Sequence, residues 1–156
     1  MKAAIDFGIS NTDVLVRRSD GEFQHWVQPY DGTPEVATIK GLLHAGGFEL
    51  GDITHLAVTG GQHRLLPEWI DQCRLESVNE VEAIGRGGLA LASSEPPATP
   101  APILVVSGGS GVAMVAAHGD AFTHVTGTGV GGGTLLGLAR LLLGTVDPVE
   151  INVLAA

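Results

Sequence analysis

Short apolar runs separated by small-residue turns set the rhythm of the chain, and they predict more strands than helices. Lys2 to Phe7 reads as a buried strand closing at Asp6-Phe7-Gly8. Asn11 to Arg17 makes a second strand, and Phe23 to Val27 a third after the turn Ser19-Asp20-Gly21. Pro34 opens a helix that reaches about His44 and ends at Gly46-Gly47. Ile53 to Val58 is the next strand, stopping at Thr59-Gly60-Gly61, and a short helical piece is expected over Leu65 to Cys73. Leu75 to Val78 then forms a strand and Asn79 to Leu91 a helix. A proline-rich stretch, Ser93 to Pro102, marks the expected boundary, with one lobe over 1–95, a linker over 96–102 and a second part over 103–156. Beyond it, the runs Ile103 to Val106 and Val112 to Ala117, and a third after His118-Gly119-Asp120, alternate with turns. Leu135, Leu136, Leu138, Leu141 and Leu142 recur at helical spacing.

Eleven of the 23 glycines fall between Pro102 and Gly144. They concentrate in two turns, Ser107-Gly108-Gly109-Ser110-Gly111 and Gly127-Thr128-Gly129-Val130-Gly131-Gly132-Gly133. Residues without a Cβ let backbone N–H groups converge on an anion, and a helix starting straight after such a loop adds its positive end. Ser107, Ser110, Thr128 and Thr134 add small hydroxyls. The pattern suits a phosphate; glycine-rich hairpins that are only tight turns are the structural alternative. No Gly-Lys-Ser/Thr occurs, so this is not a Walker A loop, and no GxGxxG closes a strand.

Composition narrows the function. With 156 residues the chain can bury a real core, which must be aliphatic because aromatics are 4% of it. A formal net charge of −9 with only eight Lys plus Arg argues against a nucleic-acid surface. Phosphates must then be met by backbone and a metal ion. Cys73 is the single cysteine and fits a reducing compartment. MKAAIDFG is too short and too soon acidic for a signal peptide, and no apolar run approaches the ~18 residues of a membrane span, so a cytoplasmic protein without membrane contact is expected. His25, His44, His55, His63 and His118 show no metal-ligand spacing and are expected at the surface.

The chain also resembles itself. Aligning Gly8 with Gly108 pairs Ser10 with Ser110, and the apolar strands that follow coincide. The Asp20-Gly21 turn falls within two residues of Gly119-Asp120, and Gln24-His25-Trp26-Val27 lies against Thr123-His124-Val125. Strand, turn, strand, turn, strand thus occurs twice, about 100 residues apart, which suggests a duplicated α/β architecture with two facing hairpins.

That architecture resembles the actin-like, sugar-kinase and Hsp70-like fold, in which two ribonuclease-H-like lobes clamp a nucleotide. The stretch VSGGSGVAMVAAHGDAFTHVTGTGVGGGTLLGLARLLLG looks like the second phosphate region of type II pantothenate kinases, the fumble-like branch. Asn79-Glu80-Val81-Glu82-Ala83 is similar to the catalytic-glutamate segment of that family, Ala57-Val58-Thr59-Gly60-Gly61 to its strand end, and Asp6-Phe7-Gly8 to its first phosphate motif. The resemblance covers nearly the whole chain and is sharpest over Ser107 to Gly137. It implies an actin-like ATPase (ribonuclease H-like) fold, with the first lobe followed by the start of the second, because the chain stops about 55 residues into its second repeat. It further implies ATP and Mg2+ as cofactors, pantothenate as the phosphate acceptor in the first step of coenzyme A biosynthesis, and a homodimer when full length.

The residues follow the motifs. Glu80 is implied as the catalytic base that takes a pantothenate hydroxyl proton, with a helix-start carboxylate stabilised by the dipole as the alternative. ATP phosphates fall to Asp6, Gly8, Ser10 and Asn11, and to Ser107, Gly108, Gly109, Ser110 and Gly111. Asp6 reaches magnesium through water, or else caps a buried turn. His124, Gly127, Gly129, Gly131, Gly132 and Gly133 line the substrate. Glu82 is a weaker candidate, and Arg86 suits an ion pair within its helix better than a substrate contact. Some positions depart from the family. Ile9-Ser10 replaces Gly-Thr, Asp13 stands near the usual lysine, Thr126 replaces a glycine, and His124 replaces an arginine that contacts pantothenate in the family. Asn11-Thr12-Asp13 instead resembles the loop of hydantoinase-type relatives. Another small-molecule kinase, a hydantoinase-like enzyme, or a non-catalytic ligand-binding member therefore stand as alternatives.

Overall fold

The computed structural model describes residues 1–29, 33–61, 63–92 and 101–155. These form two compact units, Met1–Glu80 and Val81–Ala156. The division falls ahead of the proline-rich stretch, so nearly all of the helix assigned from sequence to the first lobe counts with the second unit. Residues 93–100, which include most of the expected linker over 96–102, lie outside the described residues.

The first unit contains strands β1 (Lys2–Phe7), β2 (Asn11–Arg17), β3 (Phe23–Pro29), β4 (His55–Gly60), β5 (Trp69–Ile70) and β6 (Cys73–Ser77), with helix α1 (Val36–Ala45) between β3 and β4. They make one six-stranded sheet in the order β3-β2-β1-β4-β6-β5. The first three strands are an antiparallel meander, whereas β4 runs parallel to both β1 and β6. Alternation selects the faces. Ala3, Ile5 and Phe7 of β1, Thr12, Val14 and Val16 of β2, and Leu56 and Val58 of β4 are all buried. Ile39, Leu42 and Leu43 of α1 complete this core with Phe48, Leu50 and Ile53. Trp26 on β3 closes one side, stacking on Phe48 at 5.9 Å and donating its indole N–H to the Leu42 carbonyl at 3.1 Å. Gly46 has to be a glycine, because a Cβ there would enter the Trp26 ring.

Several boundaries differ from the reading of the sequence, among them the strand expected over Ile53 to Val58, which runs His55–Gly60. Helix α1 begins at Val36 rather than Pro34, with the Glu35 N–H donating to the Thr38 hydroxyl at 3.4 Å. The helical piece over Leu65 to Cys73 is absent. A single 3-10 turn, His63–Leu65, is followed by the β5–β6 hairpin. Pro67 cannot continue a helix, and Asp71 takes the left-handed conformation (φ 54°) that turns the chain back. Strand β6 correspondingly starts at Cys73, two residues ahead of Leu75.

In the second unit β7 (Ile103–Gly108), β8 (Val112–His118) and β9 (Ala121–Thr128) form a separate antiparallel sheet in that order. Each unit therefore contains a three-strand antiparallel meander, as the internal repeat implies. Helix α2 (Glu80–Ala92) meets this second sheet through glycines. Gly85 lies against Phe122 and Gly88 against Val105, each so close that an added Cβ would collide. Helix α3 (Gly132–Leu143) follows the second glycine turn and ends at Gly144 (φ 77°), and α4 (Pro148–Leu154) starts behind Asp147, which caps the Val149 N–H at 2.8 Å.

Candidate functional site

The parallel strands β1, β4 and β6 end on one edge of the first sheet, where ligands of α/β sheets gather. Three chain segments leave from there: Asp6-Phe7-Gly8, Thr59-Gly60-Gly61 and Ser77-Val78-Asn79-Glu80. At Gly8 the chain turns back into β2, and a Cβ at Gly8 would stand 2.6 Å from the Asn11 carbonyl oxygen, so the turn closes only without a side chain. Gly60 has φ +85° and its own Cβ position is filled by the Phe7 carbonyl and the Asp6 carboxylate. The Gly61 N–H donates to the Phe7 carbonyl at 2.7 Å, and the Val78 N–H to Val58 at 2.8 Å. The edge is thus knit by backbone, and its glycines are dictated by close approach.

The face of β1 turned away from the core carries the acidic group. Asp6 pairs in register with Asp13 on β2 and with Thr59 on β4. Desolvation pushes the Asp6 carboxyl above its ordinary pKa, and the negative charges of Glu80 and Asp13 push it further, with His63 acting in the opposite sense. Glu80, the first residue of α2, is thus one of the negative charges felt by Asp6. Asp13 is itself tied to His25 at 2.9 Å. Among the described residues no group of three or more His, Cys, Asp or Glu is arranged to hold a metal ion. A magnesium ion held mainly by water and ligand phosphates, with one carboxylate reached through water, remains compatible with Asp6 beside the charges of Asp13 and Glu80.

One residue of this edge was misjudged from sequence. His63, expected at the surface, is 5% exposed. Its Nδ1 lies 2.6 Å from the Gly60 carbonyl and its Nε2 lies 2.8 Å from the Ser77 hydroxyl. A carbonyl only accepts, so Nδ1 carries the proton; in the neutral ring Nε2 then accepts from Ser77. Nothing in the spacing announces this, because both partners sit at strand ends brought together by the sheet. Two hydroxyl oxygens, those of Thr12 and Thr59, are buried without a hydrogen-bond partner. Thr12 lies in the Asn11-Thr12-Asp13 segment whose sequence resembles a hydantoinase-type loop.

The glycines of the second unit divide into two sets. Gly111, Gly127, Gly131, Gly132 and Gly133 press against backbone: a Cβ on Gly131 would stand 2.8 Å from the Gly111 Cα, and one on Gly111 2.8 Å from the Thr128 carbonyl oxygen. The N–H groups of Gly132 and Gly133, at the start of α3, donate to the Gly109 and Ser110 carbonyls at 2.9 and 3.1 Å, so one glycine turn is bonded to the other. Thr134 donates to the Gly129 carbonyl, and Thr128 accepts from the Val130 N–H, both at 3.1 Å. Gly108 and Gly129, by contrast, border open space, where an added Cβ would meet nothing within 4 Å. His124 is exposed on β9, where the register shifts between Met114 and Val115, and its Nε2 lies 3.3 Å from the Cβ position of Gly127. Arg86 forms the expected ion pair with Glu82 (2.8 Å), reaches Asp120 at 3.3 Å and lies over the Phe122 ring.

A family model matches residues 88–155, the segment that carries both glycine turns and α3; its description is Fumble. Residues 88–155 belong to the Fumble family. Over 129 residues the chain is 31% identical to pantothenate kinase 1 of Oryza sativa subsp. japonica, an alignment covering 67% of this chain and 19% of the relative. The fold is the actin-like ATPase fold. It is shared with the activator of 2-hydroxyisocaproyl-CoA dehydratase from Clostridium difficile, solved with bound ADPNP (TM-score 0.57, 15% identity, 92% of this chain and 52% of that one). It is shared also with a protein from Porphyromonas gingivalis described as an N-acetylglucosamine kinase (TM-score 0.59, 18% identity, 92% and 57%). The chain spans about a fifth of the length of the curated relative and roughly half of each solved structure.

Proposed function

We propose that this chain carries the phosphate-binding strand ends and the Fumble segment of a kinase that transfers a phosphoryl group from ATP to pantothenate. The observation that carries the reading is Glu80 standing near Asp6 at the carboxyl edge of the parallel strands, in a chain whose residues 88–155 are Fumble-like. ADPNP in a protein of the same fold supports a nucleotide as the donor, and the rice relative supports the acceptor.

Phosphoryl transfer asks the protein mainly for positioning and charge stabilisation, together with a group that receives the proton of the attacking hydroxyl. The glycine turn at Gly8, with Ser10 and Asn11, holds phosphate oxygens by backbone and small polar groups. In the second unit this task falls to Ser107 to Gly111, where Gly108 leaves room for a ligand. Glu80, in the first turn of its helix, takes the acceptor's proton. Asp6 would hold Mg2+ through water, and the ion would supply neutralisation of the phosphate charge. His124 and the turn from Gly127 to Gly133 recognise the acceptor. The negative charges of Asp13 and Glu80 acting on Asp6 favour binding of a cation-bearing ligand over a free anion.

A second acceptor is favoured by one observation. The exposed His124 occupies the position of the arginine that contacts pantothenate in the family, which would admit another small alcohol. Incubating the protein with ATP, Mg2+ and either pantothenate or a panel of small polar alcohols, and measuring labelled phosphate in the product, tests both. Phosphopantothenate is the expected product. A labelled alcohol other than pantothenate would replace the substrate, and no labelled product at all would overturn the kinase reading.

A further inference from the structure

Three places beyond the acidic edge invite a role: the unpartnered leucine face of α3, a cleft of about 370 Å³ beside β6, and the buried imidazole at the head of that cleft. Only the imidazole has partners that define what it does. His63 is the sole buried histidine among the described residues, and burying a polar ring is costly unless both of its nitrogens are satisfied. Both are. One bond goes to the carbonyl of Gly60, the left-handed residue that ends β4, and the other to the hydroxyl of Ser77, the last residue of β6. The ring therefore bridges the ends of two neighbouring parallel strands. Ser77 lies three residues before Glu80, and the Val78 N–H that follows is bonded back to β4.

We propose that His63 is a positioning residue: as its Nδ1-protonated tautomer it clamps the end of β4 to the end of β6 and so fixes where Glu80 stands relative to Asp6. The inference rests on the reading of Glu80 as the proton acceptor. The Gly60 carbonyl fixes the tautomer, the tautomer makes Nε2 the acceptor for the Ser77 hydroxyl, and the Ser77 backbone sets the course of the segment that starts α2. Misplacement of a reacting group by about 1 Å costs on the order of 10²-fold. Loss of the clamp should therefore be read in turnover rather than in nucleotide affinity. The charged groups around the ring are Asp6, near enough to sense it, and Arg64, Glu68, Arg74 and Glu76, which line the neighbouring cleft. None of them is hydrogen-bonded to it, so the bonds to Gly60 and Ser77 define its orientation.

His63→Asn keeps a donor for Gly60 and loses the Ser77 contact, and Ser77→Ala loses the same contact from the other side. The test has two arms on the full chain. In the first, long-range 1H–15N spectra read the ring tautomer and carbon-13 spectra read the Asp6 carboxyl titration. The wild type should show a protonated Nδ1 with a bare Nε2. In Ser77→Ala, which leaves the ring and its own effect on Asp6 in place, the Asp6 midpoint should move because Glu80 is no longer held; in His63→Asn the loss of the ring moves it by itself. A protonated Nε2, or an unchanged Asp6 titration in folded Ser77→Ala, overturns the proposal whatever the activity. In the second arm, kcat for the phosphorylated alcohol should fall about tenfold to 100-fold in each variant while the KM for ATP stays within about twofold. In a Glu80→Gln background, His63→Asn should cost nothing further, because it acts through Glu80. Losses that multiply would overturn the positioning role while leaving the kinase reading intact. A wild type that phosphorylates nothing removes the kinase reading and leaves the spectroscopic arm to decide the clamp. Should His63→Asn fail to fold, Ser77→Ala carries both arms.

Discussion

Asp6 on β1 stands opposite Asp13 on β2, two carboxylates in register at the edge where the parallel strands end. No core requirement calls for this, since both project from the face away from Ile5 and Val14. The pair holds negative charge where Glu80 adds more, and this shapes how the protein responds to pH.

The folded state raises the Asp6 pKa above its ordinary value of about 3.8, so between that value and the raised one the folded chain holds a proton that the unfolded chain has released. Stability contributed by this group is therefore greatest at low pH and is lost as pH rises through the raised pKa. Asp6→Asn removes the penalty. Urea titrations should show the variant more stable than the wild type at pH 7, with the advantage shrinking as the pH falls towards 4. A variant no more stable at pH 7 would show that the charge repulsion is relieved in another way.

Leu43 is fully buried between α1 and the sheet. Leu43→Ala should cost about 2–5 kcal/mol in chemical unfolding, as deletion of a buried leucine does. A smaller loss would mean that the helix can settle onto the sheet and fill the space.

Cys73 is buried at the start of β6, and burial pushes its thiol above the ordinary value. Ellman's reagent should label it slowly in the folded protein and rapidly after denaturation. Rapid labelling of the native chain would place the β5–β6 hairpin in solvent.

The two sets of glycines give opposite outcomes for the same substitution. Gly131→Ala drives a methyl into the backbone of Gly111 and Ser110, which cannot yield as a side chain can, and should destabilise by about 1–3 kcal/mol. Gly129→Ala meets open space and should stay within about 0.5 kcal/mol of the wild type. Thermal melting of the two variants separates glycines needed for packing from those that leave room for a ligand; equal effects would contradict the division.

Much of this was legible because the strands are regular. The alternation of Thr12, Val14 and Val16 with polar neighbours fixes the inner face of β2, and the repeat of strand and turn around Gly8 and Gly108 anticipates the paired meanders. Trp69-Ile70 was not legible as a strand, since two residues between Pro67 and Asp71 are too few to show a period. His63 was not legible as a buried residue, because its burial depends on Gly60 and Ser77, whose meeting is a property of the sheet. The dense glycines around Gly131 suggested a ligand cradle, and a good part of their job is to let two turns bond to each other.

The most direct test of the account is the turnover of Glu80→Gln, measured as ATP-dependent phosphorylation of pantothenate beside the wild type and Glu82→Gln. Glutamine keeps the size and hydrogen bonding of Glu80 but cannot receive the hydroxyl proton, so turnover should fall on the order of 10² to 10⁴ with ATP binding retained. Glu82 is engaged with Arg86 on another side of the helix, and its variant should stay near the wild-type rate. A Glu80→Gln protein that keeps near wild-type turnover would contradict the assignment of the base.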